Sequence, residues 1–337
     1  MTQRATTETT RELESNGSGQ RVAKKRMLII VNPYATTVSD RLKNLVVYAL
    51  QGRYQVEAVS TEAKDHATEI GREAVAGGYD LVVAFGGDGT INEVANGLAG
   101  TQVPVSVLPG GSTNVFCRTL GIPNDVVDAT EHLLGLADDW RPRPVDLGLA
   151  NGRRYVFACG AGLDATVVKR VDAHPKLKAR AGEWYYTWAG VSGFTRHYLM
   201  GAPPRLRLRS ERGEVEGITT IAQNSEPYTY FGERAIRVCE GTTPDDGLFS
   251  VAMLKRAALI DMPTVMARCL ADSRRFPANK HRQIVDYSGL TEARVDSVSL
   301  DAAGAAVPFP IQVDGDYIGD GTTLELGIDP GALMIVA

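Results

Sequence analysis

The sequence predicts an α/β domain with a parallel sheet, followed by a β-rich second domain. Strand and helix patterns alternate from Arg26 onward, and strand patterns predominate past Asp146. The chain has 337 residues with 44% hydrophobic content, which is enough to bury two cores of ordinary size. We therefore expect a disordered tail over residues 1–25, an α/β domain over 26–147, a β-rich domain over 148–324, and a return of residues 325–337 to the first domain.

The first half of the chain alternates apolar strand patterns with amphipathic helix patterns. "RMLIIVNP" and "QVEAVS" are typical of buried strands, and a helix is expected after each, with Ser39 and Thr61 as N-caps. The alternation continues through "DLVVAFGG", "TINEVANGL" and "VPVSVLPGG". It predicts a parallel sheet with both faces covered and with ligands beyond the carboxyl ends of its strands.

The second half contains strand patterns joined by Gly, Asp and Pro turns. Examples are "RRYVFACGAG", "LFSVAMLK", "ARVDSVSL" and "PFPIQVDGDYIG". A helical insertion over residues 175–199 interrupts this series, and no fixed-period repeat is present in the sequence. We expect the functional site in the cleft between the two domains.

Composition excludes several classes of protein. A net charge of -4 gives no overall electrostatic reason to bind nucleic acid. The four cysteines, Cys117, Cys159, Cys239 and Cys269, are far apart without a CxxC pair, so neither a zinc site nor a disulfide framework is indicated. No apolar run reaches the roughly 18 residues that span a bilayer, and the first residues lack a signal-peptide core. The sequence therefore predicts a cytoplasmic protein that meets a membrane only at its surface.

The stretch "FGGDGT" places glycines at a strand-to-helix turn, where backbone N–H groups can approach a phosphate closely. Asp88 within it would repel a phosphate unless a cation lies between them or the reaction needs a base. Magnesium bound to a nucleotide would lie between the Asp88 carboxylate and the phosphates and would remove this repulsion. The alternative for an isolated GGDG is a tight turn with an Asx-type hydrogen bond.

Two other nucleotide motifs do not apply. The chain has no GxxxxGK[ST], so a Walker-type loop is excluded. "CGAGLDA" imitates a dinucleotide fingerprint, but no acidic residue follows at a strand end about 20 positions later. Close backbone packing by Gly160 and Gly162 is the favoured interpretation.

An ordered set of motifs resembles the diacylglycerol kinase catalytic family, in particular its bacterial soluble lipid kinases. The set comprises "IIVNPYA", "FGGDGTINEVANGL", "LPGGSTNVFCRTLGIP", "VDLG", "GAGLDA", "TTPDDGLFSVAML" and "IQVDGD". NAD kinases and phosphofructokinases share a similar GGDGT turn, but not the segments that follow it. The resemblance implies an NAD kinase/diacylglycerol kinase-like fold and ATP-dependent phosphorylation of a lipid hydroxyl, with diacylglycerol as the expected acceptor. The alternatives are an NAD kinase-like small-molecule kinase and a retired kinase that binds nucleotide or lipid without turnover.

The resemblance also implies a nucleotide site at the carboxyl edge of the predicted sheet. Alternatives exist for single positions, since Asn32-Pro33 could be only a turn and Thr61 only an N-cap. The implied ATP-binding residues are Asn32, Pro33, Tyr34, Ala35, Thr36, Thr61, Gly86, Gly87, Asp88, Gly89, Thr90, Ile91, Asn92, Ser112 and Asn114.

Two departures from the family pattern concern catalysis. The family has DGE where this chain has "DGD", so Asp316 is the expected catalytic base, together with Asp88 as a second catalytic carboxylate. Without the resemblance, the residues of "DGD" would suggest only an Asp-Gly hairpin turn. Many bacterial members have Asp at the position of Val115, which cannot contribute to a magnesium network. The remaining candidates for catalytic Mg²⁺ are Asp88, Asp146 and Asp314.

A further loop, "TTPDDGL", resembles the family's structural magnesium site. The resemblance implies a side-chain ligand from Asp246 and carbonyl ligands from Thr243 and Leu248. The alternative is a solvated acidic turn.

The helical insertion has a composition suited to a bilayer interface, and a lipid substrate needs a docking surface. An exposed edge strand in the second domain could also pair two subunits into a homodimer. We expect contact with an anionic membrane surface through the aromatic residues Trp184, Tyr185, Tyr186, Trp188, Phe194 and Tyr198 and the basic residues Lys176, Lys178, Arg180, Arg196, Arg205, Arg207 and Arg209.

Overall fold

The computed structural model describes residues 24–172, 203–239, 241–258, 260–271 and 280–337. Almost all of the predicted tail and the whole of the predicted insertion over 175–199 lie outside the described residues. Within the described part, no helix is long and apolar enough to cross a bilayer.

The predicted architecture is confirmed, because helices alternate with parallel strands in the first domain and strands predominate in the second. The helices are α1 (Asp40–Leu50), α2 (His66–Gly77), α3 (Asp88–Leu98), α4 (Val115–Thr119), α5 (Val126–Leu136), α6 (Leu163–Asp172) and α7 (Met262–Cys269). The strands of the first half are β1 (Arg26–Val31), β2 (Gln55–Ser60), β3 (Leu81–Gly86), β4 (Val105–Pro109), β5 (Arg143–Ala150), β6 (Arg153–Tyr155) and β7 (Ala158–Gly162). Those of the second half are β8 (Leu206–Ser210), β9 (Gly213–Gly217), β10 (Thr219–Gln223), β11 (Thr229–Phe231), β12 (Arg234–Ile236), β13 (Phe249–Leu254), β14 (Ile284–Leu290), β15 (Glu292–Ser297), β16 (Phe309–Val313), β17 (Asp316–Gly321) and β18 (Thr323–Ile335).

One large sheet extends from the first domain into the second, in the order β2-β1-β3-β4-β18-β15-β8-β9. The first four strands are parallel, and β18 joins them through the pair Ile335 and Val105 before pairing antiparallel with β15. The last residues of the chain therefore lie in the same sheet as β4. Because this sheet is continuous, the division at residues 147 and 324 remains a prediction.

A second, antiparallel sheet has the order β14-β13-β10-β7-β16-β17. One hydrophobic core surrounds β1, β3 and β4, and another includes Phe249, Phe309 and Tyr155. The segment 156–158, which leads into β7, packs into the first core and so joins the two. Because β16 lies next to β7 in the second sheet, the hairpin of β16 and β17 reaches the carboxyl edge of the parallel strands.

Three details differ from the sequence prediction. β2 is not buried, because it forms the edge of the large sheet and half of its residues are exposed. Thr61 is not an N-cap, since α2 begins at His66 after Asp65. The helix α6 follows β7 directly, where the sequence suggested only close packing of glycines. Close backbone packing is confirmed at Gly162, since a Cβ there would clash with the Ile218 carbonyl oxygen, whereas Gly160 faces side chains.

Features set by neighbouring residues agree with the sequence prediction. Ser39 caps α1 as predicted, with its hydroxyl accepting a hydrogen bond from the Leu42 N–H at 3.2 Å. All four cysteines are buried and free.

Candidate active site

Two glycine pairs bring two turns into direct backbone contact at the carboxyl edge of the sheet. A Cβ on Gly110 would lie 2.8 Å from Gly86 Cα, and a Cβ on Gly111 would lie 2.9 Å from Gly87 Cα. Any side chain at these positions would force the turns apart, because real Cβ atoms do not approach so closely. The glycines therefore allow the GGDG turn to lie against the GGST turn.

Helix α3 starts at this junction and leaves its first N–H groups available to a ligand. Its N-cap is Gly87, which has no side chain to accept a hydrogen bond from them. The N-terminus of an 11-residue helix carries partial positive charge and exposed donors. This arrangement can bind a phosphate group.

Asp88, the first residue of α3, connects the two turns. Its Oδ2 accepts the Val115 N–H at 3.1 Å and its Oδ1 accepts the Phe116 N–H at 3.2 Å. It thus caps α4, so it has a structural role in addition to the predicted catalytic one. Burial raises the pKa of Asp88 to about 7, and the negative charges of Asp314 and Asp316 act in the same direction. A cation at this position would relieve that unfavourable energy.

The segment after β1 forms the outer rim of the predicted nucleotide site. Pro33, Tyr34 and Thr36 are exposed, and Ala35 is half-buried. Asn32 shapes this segment, because its Oδ1 accepts the Tyr34 N–H at 2.9 Å. Exposed backbone in a fixed turn suits contact with a ligand.

Other predicted rim residues support this segment or face it from neighbouring elements. Asn32 Nδ2 donates to Thr90 Oγ1 at 3.0 Å, and Thr90 is buried. Ser112 is exposed on the GGST turn, whereas Thr61 is buried at the end of β2 and donates its N–H to the Val31 carbonyl. The exposed part of the rim thus consists of the segment after Asn32 and of Ser112, and residues 87–89 of the GGDG turn are half-buried behind it.

Three residues of the predicted nucleotide set face the protein interior instead. Ile91 lies in the hydrophobic core, and Asn92 donates to Asp314 Oδ2 at 2.7 Å. Asn114 accepts the Gly111 N–H and donates to the Gly111 carbonyl, which fixes the GGST turn. Val115 is 2% exposed, so the side chain that replaces the family's aspartate is part of the core.

The hairpin between β16 and β17 has the predicted Asp-Gly turn. Asp314 and Gly315 have φ of 48° and 84°, as a type I′ turn requires. The Asp314 carboxylate is buried and accepts four hydrogen bonds, from Asn92 Nδ2 and from the backbone N–H groups of residues 156, 157 and 158. Burial raises its pKa to about 6. Asp314 therefore anchors the hairpin against α3 and the start of β7.

This anchoring places Asp316 beside the GGDG turn. An ideal Cβ built on Gly89 would lie 2.5 Å from Asp316 Oδ2. The carboxylate of Asp316 therefore lies over the first turn of α3, where a nucleotide phosphate would bind. The structure brings the two predicted catalytic residues together, although they are more than 200 positions apart in the sequence.

We expect Gly89→Ala to reduce activity while it leaves stability unchanged or higher. Alanine favours a helix more than glycine does, but its methyl group would displace the Asp316 carboxylate. Misplacement of a reacting group by about 1 Å can cost about 10²-fold in rate. Turnover and thermal unfolding of the purified variant would be measured together.

The matched control is Gly135→Ala in α5. Outside that helix, no atom of the described residues lies within 4 Å of the place that a Cβ on Gly135 would occupy. This control should keep full turnover. Full turnover in Gly89→Ala as well would contradict the position of Asp316.

The three carboxylates predicted to hold a catalytic magnesium do not form one group, although Asp314 lies near enough to Asp88 to raise its pKa. Within the described ranges, no three His, Cys, Asp or Glu side chains form a group that could hold a metal ion. Asp146 accepts the Gly247 N–H at 2.6 Å and the Gly331 N–H at 2.7 Å, so it holds a different loop. The four donors on Asp314 leave it little capacity for a cation. Asp88 also accepts one backbone N–H on each oxygen, but it lies in the first turn of α3 beside the phosphate-binding turns and is the candidate that fits.

The loop that resembles a structural magnesium site is an exposed tight turn. Asp246 Oδ2 accepts from the Thr243 hydroxyl, and Asp246 Oδ1 accepts the Leu248 N–H, both at 3.0 Å. The three predicted residues are thus adjacent. These bonds are also those of a solvated acidic turn, so a metal role for the loop remains a prediction.

Glu93 and Gln312 were not selected from the sequence. Glu93 Oε2 accepts the Ala67 N–H at 3.1 Å and so caps α2 from a neighbouring helix. Gln312 Oε1 accepts the Gly315 N–H at 2.9 Å in the Asp-Gly turn. A single Glu within a helix pattern gives no signal for a bond to a residue 26 positions away, and a single Gln within a strand pattern gives none for a bond to the turn that follows it.

Comparisons with known proteins concern the family and the fold of the chain. Residues 26–149 match the diacylglycerol kinase catalytic domain family. The diacylglycerol kinase of Bacillus subtilis is 31% identical over 259 residues, which cover 73% of this chain and 79% of that protein. The diacylglycerol kinase of Staphylococcus epidermidis is 28% identical over 307 residues, which cover 88% and 87%. A solved structure of a candidate diacylglycerol kinase from Bacillus anthracis has a TM-score of 0.69 at 22% identity, over 94% of this chain and 97% of that one, and shows the shared fold.

Proposed function

The chain belongs to the diacylglycerol kinase catalytic family and is a lipid kinase, and we propose that it transfers the γ-phosphoryl group of ATP to the hydroxyl of diacylglycerol or a related lipid alcohol. The observation that carries the proposal is the position of the Asp316 carboxylate over the first turn of α3. A base and a phosphate-binding helix N-terminus then face the same space. Phosphoryl transfer depends mainly on such positioning and on charge neutralisation.

In this proposal, the phosphates of ATP lie against the N-terminus of α3 and the GGST turn. The exposed segment after Asn32 and the side chain of Ser112 line the same site. Backbone N–H groups there would offset the negative charge of the phosphates. Tyr34, which is 82% exposed, offers an aromatic face at the rim.

A magnesium ion would be held by Asp88 together with the nucleotide. Burial raises the pKa of Asp88, the charges of Asp314 and Asp316 act in the same direction, and a cation beside these carboxylates would offset both effects. When bound, the ion supplies neutralisation of phosphate charge. Asp314 is not proposed as its ligand, because its carboxylate already accepts four hydrogen bonds. Asp146 is not proposed either, because its carboxylate holds the backbone at Gly247 and Gly331 and not the phosphate-binding turns.

Asp316 is proposed to accept the proton of the lipid hydroxyl. As that proton is lost, the hydroxyl oxygen bonds to the γ-phosphorus and the bond to the β-phosphate oxygen breaks, which releases ADP. The lipid would approach from the β-rich domain, since the hairpin that carries Asp316 belongs to its sheet.

The proposal is tested by incubating the protein with magnesium, γ-labelled ATP and a total lipid extract, with NAD in a parallel reaction. We expect label in the organic phase, and mass spectrometry of the labelled lipid would identify the acceptor. Label in NADP would favour the NAD kinase alternative, and ATP binding without transfer would favour a retired kinase.

We further propose peripheral contact with an anionic membrane surface. Arg205, just before β8, and the two arginines within β8 do not supply it, because each is paired with an acidic residue. Arg207 Nη2 lies 2.7 Å from Glu216 Oε1, Arg209 Nε lies 2.9 Å from Glu214 Oε2, and Arg205 Nη2 lies 3.5 Å from Glu216 Oε2. The basic residues proposed for docking are therefore those of the 175–199 segment, outside the described residues. A homodimer would use β9, which ends the large sheet.

We expect vesicles that contain anionic lipid to retain the protein at low salt and to release it as salt rises. Exposed charges are screened within about 8 Å at physiological ionic strength. Sedimentation with vesicles measures the bound fraction. Arg207→Gln is the control and should bind as the unmodified protein does, because the charge of Arg207 is already balanced within β8 and β9. Retention that does not respond to salt, or no retention, would contradict the proposal.

A further inference from the structure

A buried polar cluster lies behind the hairpin that carries Asp316. It consists of Gln312 on β16, Asp164 in the first turn of α6, and Tyr228 before β11. Gln312 is 1% exposed. None of the three belongs to the proposed nucleotide site, and the proposed reaction assigns none of them a chemical step.

The hydrogen bonds of the cluster form a chain that ends at the catalytic hairpin. The Tyr228 hydroxyl donates to Asp164 Oδ1 at 2.6 Å, and Gln312 Nε2 donates to Asp164 Oδ2 at 3.0 Å. Gln312 Oε1 then accepts the Gly315 N–H at 2.9 Å. The Gln312 amide is therefore held at both ends, which fixes its orientation.

The hairpin turn is consequently held at both of its central residues. Asp314 is fixed by Asn92 and the start of β7, and Gly315 is fixed by Gln312. Asp316 follows immediately. If the Gly315 N–H lost its acceptor, a half-buried donor would be unpaired and the turn would move to satisfy it.

We propose that Gln312 is a positioning residue for Asp316, supported through Asp164 by Tyr228. The proposal rests on the proposed role of Asp316 as the base. It predicts an effect on the chemical step and none on ATP binding, because the cluster contacts the hairpin and not the nucleotide turns.

The test compares Gln312→Met with Gln223→Met. Methionine keeps a similar volume but removes both the donor and the acceptor. Gln223 is a matched control, since it is also fully buried in the same sheet, but it bonds the Cys239 N–H and the Ser225 carbonyl instead of the hairpin. We expect Gln312→Met to lower kcat by about 10- to 100-fold with an unchanged KM for ATP. Gln223→Met should keep kcat while losing similar thermal stability.

A double variant separates positioning from a general structural role. In the Asp316→Asn background, adding Gln312→Met should cause little further loss, because the base that Gln312 positions is already absent. An equal loss in both backgrounds would overturn the proposal. An unchanged kcat in Gln312→Met would overturn it as well, provided that Asp316→Asn itself is slow. If Asp316→Asn retains full turnover, the assignment of the base fails instead.

Should Gln312→Met fail to fold, Tyr228→Phe tests the same chain by removing only one hydroxyl. It should lower kcat several-fold and leave the KM for ATP unchanged, because Asp164 keeps only its bond from Gln312. No change in kcat for a folded Tyr228→Phe would then overturn the proposed chain.

Discussion

Replacing Asp316 with Asn is expected to slow phosphoryl transfer by about 10²- to 10⁴-fold, the usual contribution of a general base. Asparagine has nearly the same size, so the hairpin and the first turn of α3 should keep their contact. It cannot accept the proton of the lipid hydroxyl. The KM for ATP should change little, and single-turnover rates with a defined diacylglycerol would measure the chemical step.

Asp316→Glu restores the residue of the family motif and tests whether the backbone has adapted to the shorter side chain. The Asp316 carboxylate already lies next to Gly89, and an added methylene would push it further over that turn. We therefore expect Asp316→Glu to be slower than the unmodified enzyme but faster than Asp316→Asn. If Asp316→Asn has normal turnover, Asp316 is not the base.

We expect Asp88→Asn to lower turnover by at least about 10²-fold and to weaken the dependence on magnesium. The substitution removes the carboxylate proposed to hold the ion, and a preorganised charge in such a site has an effect of this size. With magnesium bound, it should also cost about 1–2 kcal/mol of stability, because an amide can accept only one of the two N–H groups that Asp88 caps in α4. Magnesium titrations of the initial rate and urea unfolding would measure the two effects. Unchanged magnesium dependence would contradict the role of Asp88.

The pH dependence of stability provides an independent check on Asp88. Burial raises its pKa in the folded, magnesium-free protein to about 7 from an ordinary value of 3.8. The neutral form is therefore favoured by folding, and this contribution is fully present below about pH 4 and is lost as the pH rises through about 7. Because asparagine does not ionise, Asp88→Asn does not lose stability in this way as the pH rises. Between about pH 5 and about pH 8, its free energy of unfolding should fall less than that of the unmodified protein.

Features that depend on nearby residues could be predicted from the sequence. The alternation of strands and helices predicted the α/β domain, and Ser39 was correctly assigned as a cap because its partner is three positions away. Thr61 was wrongly assigned as a cap. The start of α2 is stabilised by Glu93, 26 positions after Ala67, and no local pattern reveals that bond.

The roles of the acidic residues also depend on distant contacts that no local pattern reveals. Asp88, Asp146 and Asp314 looked equivalent as magnesium ligands in the sequence, since each follows or precedes a glycine-rich or strand segment. The structure separates them by the donors around each carboxylate. Asp314 accepts four hydrogen bonds and fixes a turn, and Asp146 holds a loop near residue 247. These donors come from distant segments, so residue type and spacing could not distinguish the roles.

The meaning of the glycines also required the fold. The sequence suggested that the GGDG turn needs glycine so that a ligand can approach. Gly86 and Gly87 instead face Gly110 and Gly111, and the ligand-facing donors are those of the first turn of α3. Gly89 has a further reason, since it leaves room for Asp316. These roles of the glycines depend on contacts among three separate segments, so they could be assigned only from the fold.

The proposed transfer of the γ-phosphoryl group from ATP to a lipid is tested most directly by following that group. The protein would be incubated with diacylglycerol, magnesium and ATP whose γ-phosphoryl oxygens carry a heavy isotope, and the lipid product would be analysed by mass spectrometry. We expect the unmodified protein to form a lipid phosphate that contains the full γ-phosphoryl label. Asp316→Asn should form the same product far more slowly. Label found only in inorganic phosphate or in NADP, or equal lipid labelling by Asp316→Asn, would contradict these expectations.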